Sequence, residues 1–308
     1  TTVLDFVRDQ WAQLGVFMAP SRPPDTWAQD PEALLVFSLD VARADARLFD
    51  EILDWLRLSG GALSGRRLHL LAHNDGLDGA LVSAAVGWAA AHGSSLRLPA
   101  DGQLRPSEQV SVFERPGIPG REDEIFLRHG LVKPPTRPSS KSSTPDRLLP
   151  INLAFRLRDM FGVTSRAEII RFLLTTGVPN ATTLAISEAA LSTKRNANEA
   201  LNELWRARLV ERHFVGNEAR YGVDRDRWSS FLDVLPETIP TYLDWPALLR
   251  AVGEIRRWLE VPGADDLNDY LRASEARRLM TQVKPNLERS GVLVSERGLA
   301  EEYWPSFV

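Results

Sequence analysis

Residues 192–223 read "STKRNANEALNELWRARLVERHFVGNEARYGV", and the fold turns on whether this stretch is a helix running into a hairpin. Ser192 or Thr193 suits a helix N-terminus, because a hydroxyl accepts from the free amides of the first turn. From there Ala197, Ala200, Leu201, Leu204 and Trp205 recur at three- and four-residue spacing, which predicts one buried stripe. At about 100° per residue the opposite face carries Arg195, Asn198, Glu199, Asn202 and Arg206, flanked by Lys194 and Asn196. Two strands are predicted next, over 210–215 and 219–223, around Gly216-Asn217. That pair suits a tight turn with positive φ.

The polar face has a definite chemistry. Arg and Lys can meet guanine O6/N7 or a phosphate, Asn can bond bidentately to adenine N6/N7, and an α-helix fits the major groove of DNA. A capped helix start also offers amides and the positive end of a dipole to a phosphate. Arg212, His213 and Arg220 on the hairpin can reach backbone phosphates or the minor groove.

Upstream, "PINLAFRLRDMFGVTSRAEIIRFLLTTG" (150–177) predicts a helix over 151–161 and a second one capped by Ser165. In the second, Ala167, Ile169, Ile170, Leu173 and Leu174 face inward, and Gly177 stops it. "NATTLAISEAAL" (180–191) predicts a short helix with Ile186 and Ala190 inward. Over residues 165–228 the chain resembles the winged helix-turn-helix domains of bacterial transcription regulators. "RAEIIRFLLTTG" matches the first helix, "TTLAISEAAL" the second, "STKRNANEALNELWRARLVER" the recognition helix with the first wing strand, and "GNEARYGV" the turn and return strand. The resemblance implies base contacts from Thr193, Lys194, Arg195, Asn198, Glu199 and Asn202. Ser192, Asn196, Arg206, Arg212 and Arg220 complete the expected DNA-facing set. Two positions depart from the pattern, Leu191 and Arg208, which stand where the family usually has glycine.

Working outward, the 308 residues are 44% hydrophobic and 25% charged, enough apolar material for one large or several smaller domains. Four segments are expected: a helical domain over 1–115, a basic Pro/Ser-rich linker over 116–150, the winged domain over 151–230, and a helical domain over 231–308. The fold class is mainly α. In the first segment, helices are predicted over 3–14, 31–44, 46–58, 64–73 and 78–92, which suggests a helical domain, and a degenerate helix-turn-helix with Arg66 and Arg67 at the start of its second helix is the weaker alternative. The linker holds one short helix near 122–129, and its cations Arg128, Lys133, Arg137, Lys141 and Arg147 form a basic arm against the single acid Asp146. In the last segment helices are predicted over 245–259 and onward from a Ser274 cap, bent or restarted at Pro285 and closed by Gly291. Trp245, Trp258, Tyr270, Trp304 and Phe307 are its expected apolar anchors.

The net charge of −4 requires any nucleic-acid surface to be local. Within 191–230 there are eight bases and six acids, a small surplus, so two copies acting together or help from the basic arm are expected. The alternative use of such a domain is protein docking, as in an antitoxin that neutralises a protein toxin. The opening residues lack a basic start and apolar block, and the longest apolar run, 81–91, is far below the ~18–20 residues that span a bilayer. No membrane and a cytoplasmic location are therefore expected. With no cysteine in the chain, disulfides, thiol catalysis and cysteine-bound zinc are excluded. His69 and His73 sit at i, i+4 with Asp75 and Asp78 nearby, yet Leu70 stands where a zinc protease needs Glu. "SGGALSG" (59–65) lacks the Lys-Ser/Thr ending of a phosphate loop. No cofactor and no enzymatic role are expected.

Overall fold

Thr2 accepts a hydrogen bond from the Asp5 amide, and the Asp5 carboxylate accepts the Thr2 N–H at 3.0 Å. This reciprocal cap starts α1 (Val3–Gln13). The computed structural model describes residues 2–21, 23, 26–74, 79–99, 109–114, 121–261 and 269–292. Among them are thirteen α-helices and five short strands. The chain divides into two units between Tyr242 and Leu243.

The first unit begins with α1, α2 (Pro31–Val41), α3 (Ala46–Ser59), α4 (Gly65–Asn74) and α5 (Gly79–Ala91). All five follow the apolar periodicity closely. Asp30 and Asp45 cap α2 and α3, and the small-residue run of α5 lets Leu81, Ala84, Ala85 and Trp88 pack without exposure. Two tryptophans anchor the centre: the Trp11 and Trp55 rings meet edge to face at 5.0 Å, and their indole N–H groups donate to Ser38 Oγ and the Leu14 carbonyl. At the start of α4 the backbone of Gly65 lies so close to Arg97 that a Cβ would fall 1.8 Å from its carbonyl oxygen. Only glycine fits there.

The segment expected as a free linker is packed along its described part. The strand β1 (Val110–Ser111) pairs in parallel with β2 (Leu131–Val132), and α6 (Glu124–Arg128) lies between them in the chain. Lys133 is 1% exposed, with its ammonium 2.8 Å from Asp50 and between 5.5 and 5.8 Å from the rings of Phe49, Phe113 and Phe126. Beyond it, Ser139 donates to Glu51 and Asp54, and the Ser143 amide donates to the Gly15 carbonyl. Serine hydroxyls and backbone amides, rather than apolar periodicity, tie this strap to α3 and the end of α1. The basic arm is thereby shortened, since Lys133 is buried, while Arg147 pairs with Asp159 at 3.0 Å.

The same unit continues through α7 (Leu153–Phe161), α8 (Ser165–Thr176), β3 (Ala181–Thr182), α9 (Thr183–Ala189), α10 (Lys194–Arg206), β4 (Glu211–Val215), β5 (Glu218–Gly222) and α11 (Arg225–Leu232). Ile169, Ile170, Leu173, Leu174, Ile186, Leu201, Leu204, Tyr221 and Trp228 form one core. Gly177 ends α8 at φ 63°, as its position predicts. Ser165 is the first helical residue rather than the cap, and Thr164 precedes it with its hydroxyl donating to the Phe161 carbonyl. The strand β3 is too short to show periodicity, yet it pairs antiparallel with β5 and gives the sheet order β3-β5-β4.

A buried ionic cluster joins the two halves of this unit. Arg158 on α7 reaches Glu32 at 2.8 Å and Glu168 at 2.6 Å, Arg171 reaches Glu168 at 3.0 Å, and Arg67 pairs with Asp30. All six side chains are at most 5% exposed. Burial alone would push the Glu168 carboxyl up, but the guanidinium groups, Arg158 foremost, outweigh it and hold that carboxyl well below the usual range. Arg67 is consumed here, so of the two cations expected at the start of α4 Arg66 alone is exposed.

The second unit, described by itself, is a pair of packed helices, α12 (Trp245–Leu259) and α13 (Asp269–Arg289). Asp244 caps α12 and also accepts from Arg289 at 2.9 Å. Ala251, Val283 and Leu287 are its small core. Helix α13 starts before Ser274 and runs through Pro285, so the expected cap and restart do not occur. Trp245 is buried and Trp258 half-buried, whereas Tyr270 is 76% exposed among the described residues. Trp304, Phe307, Asp75 and Asp78 lie outside the described residues. Among the described residues no helix is long and apolar enough to cross a membrane.

Candidate nucleic-acid interface

The site is built on α10 and the hairpin that follows it. Thr193, not Ser192, caps α10 by accepting from the Asn196 amide at 3.2 Å. The Ser192 hydroxyl oxygen is enclosed and faces no solvent, which removes it from the expected polar face. Ala197, Ala200, Leu201 and Leu204 are buried as their spacing predicts. That stripe fixes the rotation of the helix, so Lys194, Arg195, Glu199 and Arg206 are exposed and Asn196, Asn198 and Asn202 half-buried.

Trp205 departs from the stripe. It is 39% exposed, because the inward face of α10 closes at Leu204 and the next turn projects toward β4. There the Arg212 guanidinium stacks on the Trp205 ring at 3.6 Å and lies 5.6 Å from the Phe214 ring. Arg212 also points toward the Asn202 side-chain oxygen at 3.4 Å. Two residues expected to meet DNA separately are thus held together beside α10. Phe214 and Val215 are exposed at the end of β4. Sequence reasoning passes over Phe214 and places Trp205 inside. The usable signal is the alternation Arg212-His213-Phe214 in a strand whose other side is paired.

The turn of the hairpin is a two-residue loop, with Val215 opposite Glu218 and Gly216 at φ 60°. Positive φ at the first central position alone is the type II′ pattern. Elsewhere, Leu191 (φ 46°) and Arg208 (φ 58°) occupy the left-handed region just before and just after α10. Neither is glycine, so each sharp turn carries a conformational cost of about 1 kcal/mol or more.

Electrostatically the face is mixed. Arg195 pairs with Glu199 at 3.0 Å, Arg220 with Glu218 at 2.8 Å, and His213 approaches Glu211 at 3.6 Å. The first of these is fully on the surface, where an ion pair contributes little and opens readily to a competing phosphate or base. Glu199 itself can accept from a cytosine amino group. Lys194 and Arg206 have no ion-pair partner among the described residues. Away from this face, the His69 and His73 rings lie 4.6 Å apart, and no group of three His, Asp or Glu side chains among the described residues is placed to hold a metal. Comparison with protein-family models, curated proteins and solved structures finds no match to this chain.

Proposed function

We propose that residues 165–228 form a winged helix-turn-helix, with α10 as recognition helix and the β4–β5 hairpin as wing, and that the chain reads double-stranded DNA as a transcription regulator. The observation that carries this reading is the pose of α10. Its apolar stripe is spent on the core, its capped start is open, Lys194, Arg195, Glu199 and Arg206 are exposed, and Asn198 and Asn202 lie half-buried beside them. Arg195 and Asn198 have the hydrogen-bonding groups to meet guanine and adenine edges, and Lys194 and Arg206 the charge to meet phosphates. The wing supplies Arg212 and Arg220 at one flank. Near balance of charge on the face makes affinity modest per copy, which favours two copies on paired half-sites. The same balance is what a protein-docking use of this face would show.

A salt titration separates these uses. Fluorescence anisotropy with an unrelated duplex is expected to show binding at low salt that weakens steeply as salt rises, with a slope that scales with the phosphates neutralised. No duplex binding at low salt, or binding indifferent to salt, would remove DNA as the partner.

A further inference from the structure

Phe214 is 65% exposed, Val215 57% and Trp205 39%, an unusual amount of open aromatic and apolar surface for a short hairpin beside a polar helix. Phe214 faces Ala219 across the sheet, so no large side chain on the partner strand covers its ring. Its strand, β4, is the edge of the sheet. The ring is steadied from one side only. Arg212 lies between it and Trp205, 3.6 Å from the indole and 5.6 Å from the phenyl, and Arg212 is in turn tied to Asn202 on α10. The guanidinium stacks on the indole, and the phenyl follows it 5.6 Å away on the hairpin with 65% of its surface exposed.

We propose that this stack is a platform for a nucleobase: an unpaired or unstacked base of the DNA lying along α10 seats on Phe214, so the protein prefers DNA carrying unpaired bases to a fully paired duplex. The proposal rests on the DNA reading above and deepens it by naming the form of DNA. Three features favour a base over a protein side chain. A base presents a flat π-face to a phenyl ring, and such stacking tolerates any sequence. The guanidinium beside the ring favours a planar, electron-rich group. On the face of the hairpin that carries Phe214 the charged neighbour is Arg212, which a phosphate beside the base complements, whereas Glu211, His213, Glu218 and Arg220 lie on the opposite face. The apolar surface at the hairpin end is confined to Phe214 and Val215, too narrow for the packed centre of a protein interface.

The test uses the full chain, a short fully paired duplex, and the same duplex with a central run of thymine mismatches, titrated by anisotropy at one salt concentration. The wild type is expected to bind the mismatched form at least about fivefold more tightly. Phe214→Ala should bring the two affinities together by weakening only the mismatched form, and Phe214→Trp should keep the preference. Because the ring is exposed, both variants should fold, which their melting curves check. Equal wild-type affinities for the two DNAs would overturn the proposal while leaving the DNA reading intact. So would a preference that survives in Phe214→Ala, or a wild-type oligomer, seen by sedimentation, that Phe214→Ala dissociates. Failure of the wild type to bind either DNA would instead sink the DNA reading itself, and this inference with it.

Discussion

Replacing Arg158 by Met is expected to destabilise the first unit by about 3–5 kcal/mol, the range for removing one partner from a buried ion pair. Arg158 is the member of the ionic cluster that bridges Glu32 on α2 and Glu168 on α8, and it also donates to the Ala62 carbonyl at 2.9 Å. Met fills much of the same volume, so the loss reports charge rather than a cavity. Without the guanidinium, Glu32 keeps Arg67 at 3.5 Å, and Glu168 keeps Arg171 with a more distant Arg67. Adding Glu32→Gln should recover part of the loss, because the amide oxygen can still accept the Ser64 N–H that Glu32 holds at 2.7 Å. Urea denaturation of the two single variants and the double variant measures this coupling. A loss below about 1 kcal/mol for Arg158→Met would mean that the cluster is relaxed or hydrated, since effects of that size are typical of ordinary substitutions.

The same cluster sets the response to acid. Burial alone would raise the carboxyls of Asp30 and Glu168, but the neighbouring guanidinium groups prevail and hold both below the usual carboxylate range. A carboxyl whose pKa is depressed on folding contributes stability that is complete above the unfolded value of about 4 and is lost as pH falls through and below it. The wild type should therefore show a steeper drop in melting temperature below that point than Arg158→Met does. The variant has already lost the strongest source of the depression at Glu168.

The second large effect concerns the proposed DNA face. Arg195→Ala combined with Asn198→Ala is expected to weaken binding to a preferred duplex by about 1–3 kcal/mol for each of the two bases no longer recognised. The fold should be nearly untouched. The Arg195 side chain is 86% exposed and its pair with Glu199 lies in solvent, so removing it changes stability by no more than about 0.5 kcal/mol. Anisotropy measures the first quantity and urea denaturation the second. Unchanged affinity in a folded double variant would take this face of α10 out of the site.

Much of this arrangement is legible in the amino-acid sequence. Periodic apolar spacing locates α1 to α5, α8 and α10, and the single Gly216 announces the hairpin turn. What escapes reading depends on partners distant in the chain. The strap around Lys133 looks like a linker because its anchors, Ser139 and the Ser143 amide, find acceptors on Glu51, Asp54 and Gly15, and no local pattern encodes that. Arg67 looks like the basic start of a DNA-reading helix until Asp30, Glu32 and Glu168 enclose it. Trp205 fits the spacing of the inward stripe, but the burial stops one residue earlier and Arg212 takes its ring. Leu191 and Arg208 carry no turn signal of their own, yet both adopt the left-handed backbone. Around the candidate site, then, position along the helix is readable, whereas the coupling of Asn202, Arg212 and Trp205 requires the tertiary structure.

The most direct measurement is selection of bound duplexes from a randomised pool, carried out in parallel with the wild type and Asn198→Ala. Sequence reading by α10 predicts an enriched motif for the wild type, with at least one adenine position whose preference relaxes in the variant. A folded wild-type protein that enriches no motif, or a motif that Asn198→Ala leaves unchanged, would contradict the assignment of α10 as the element that reads DNA.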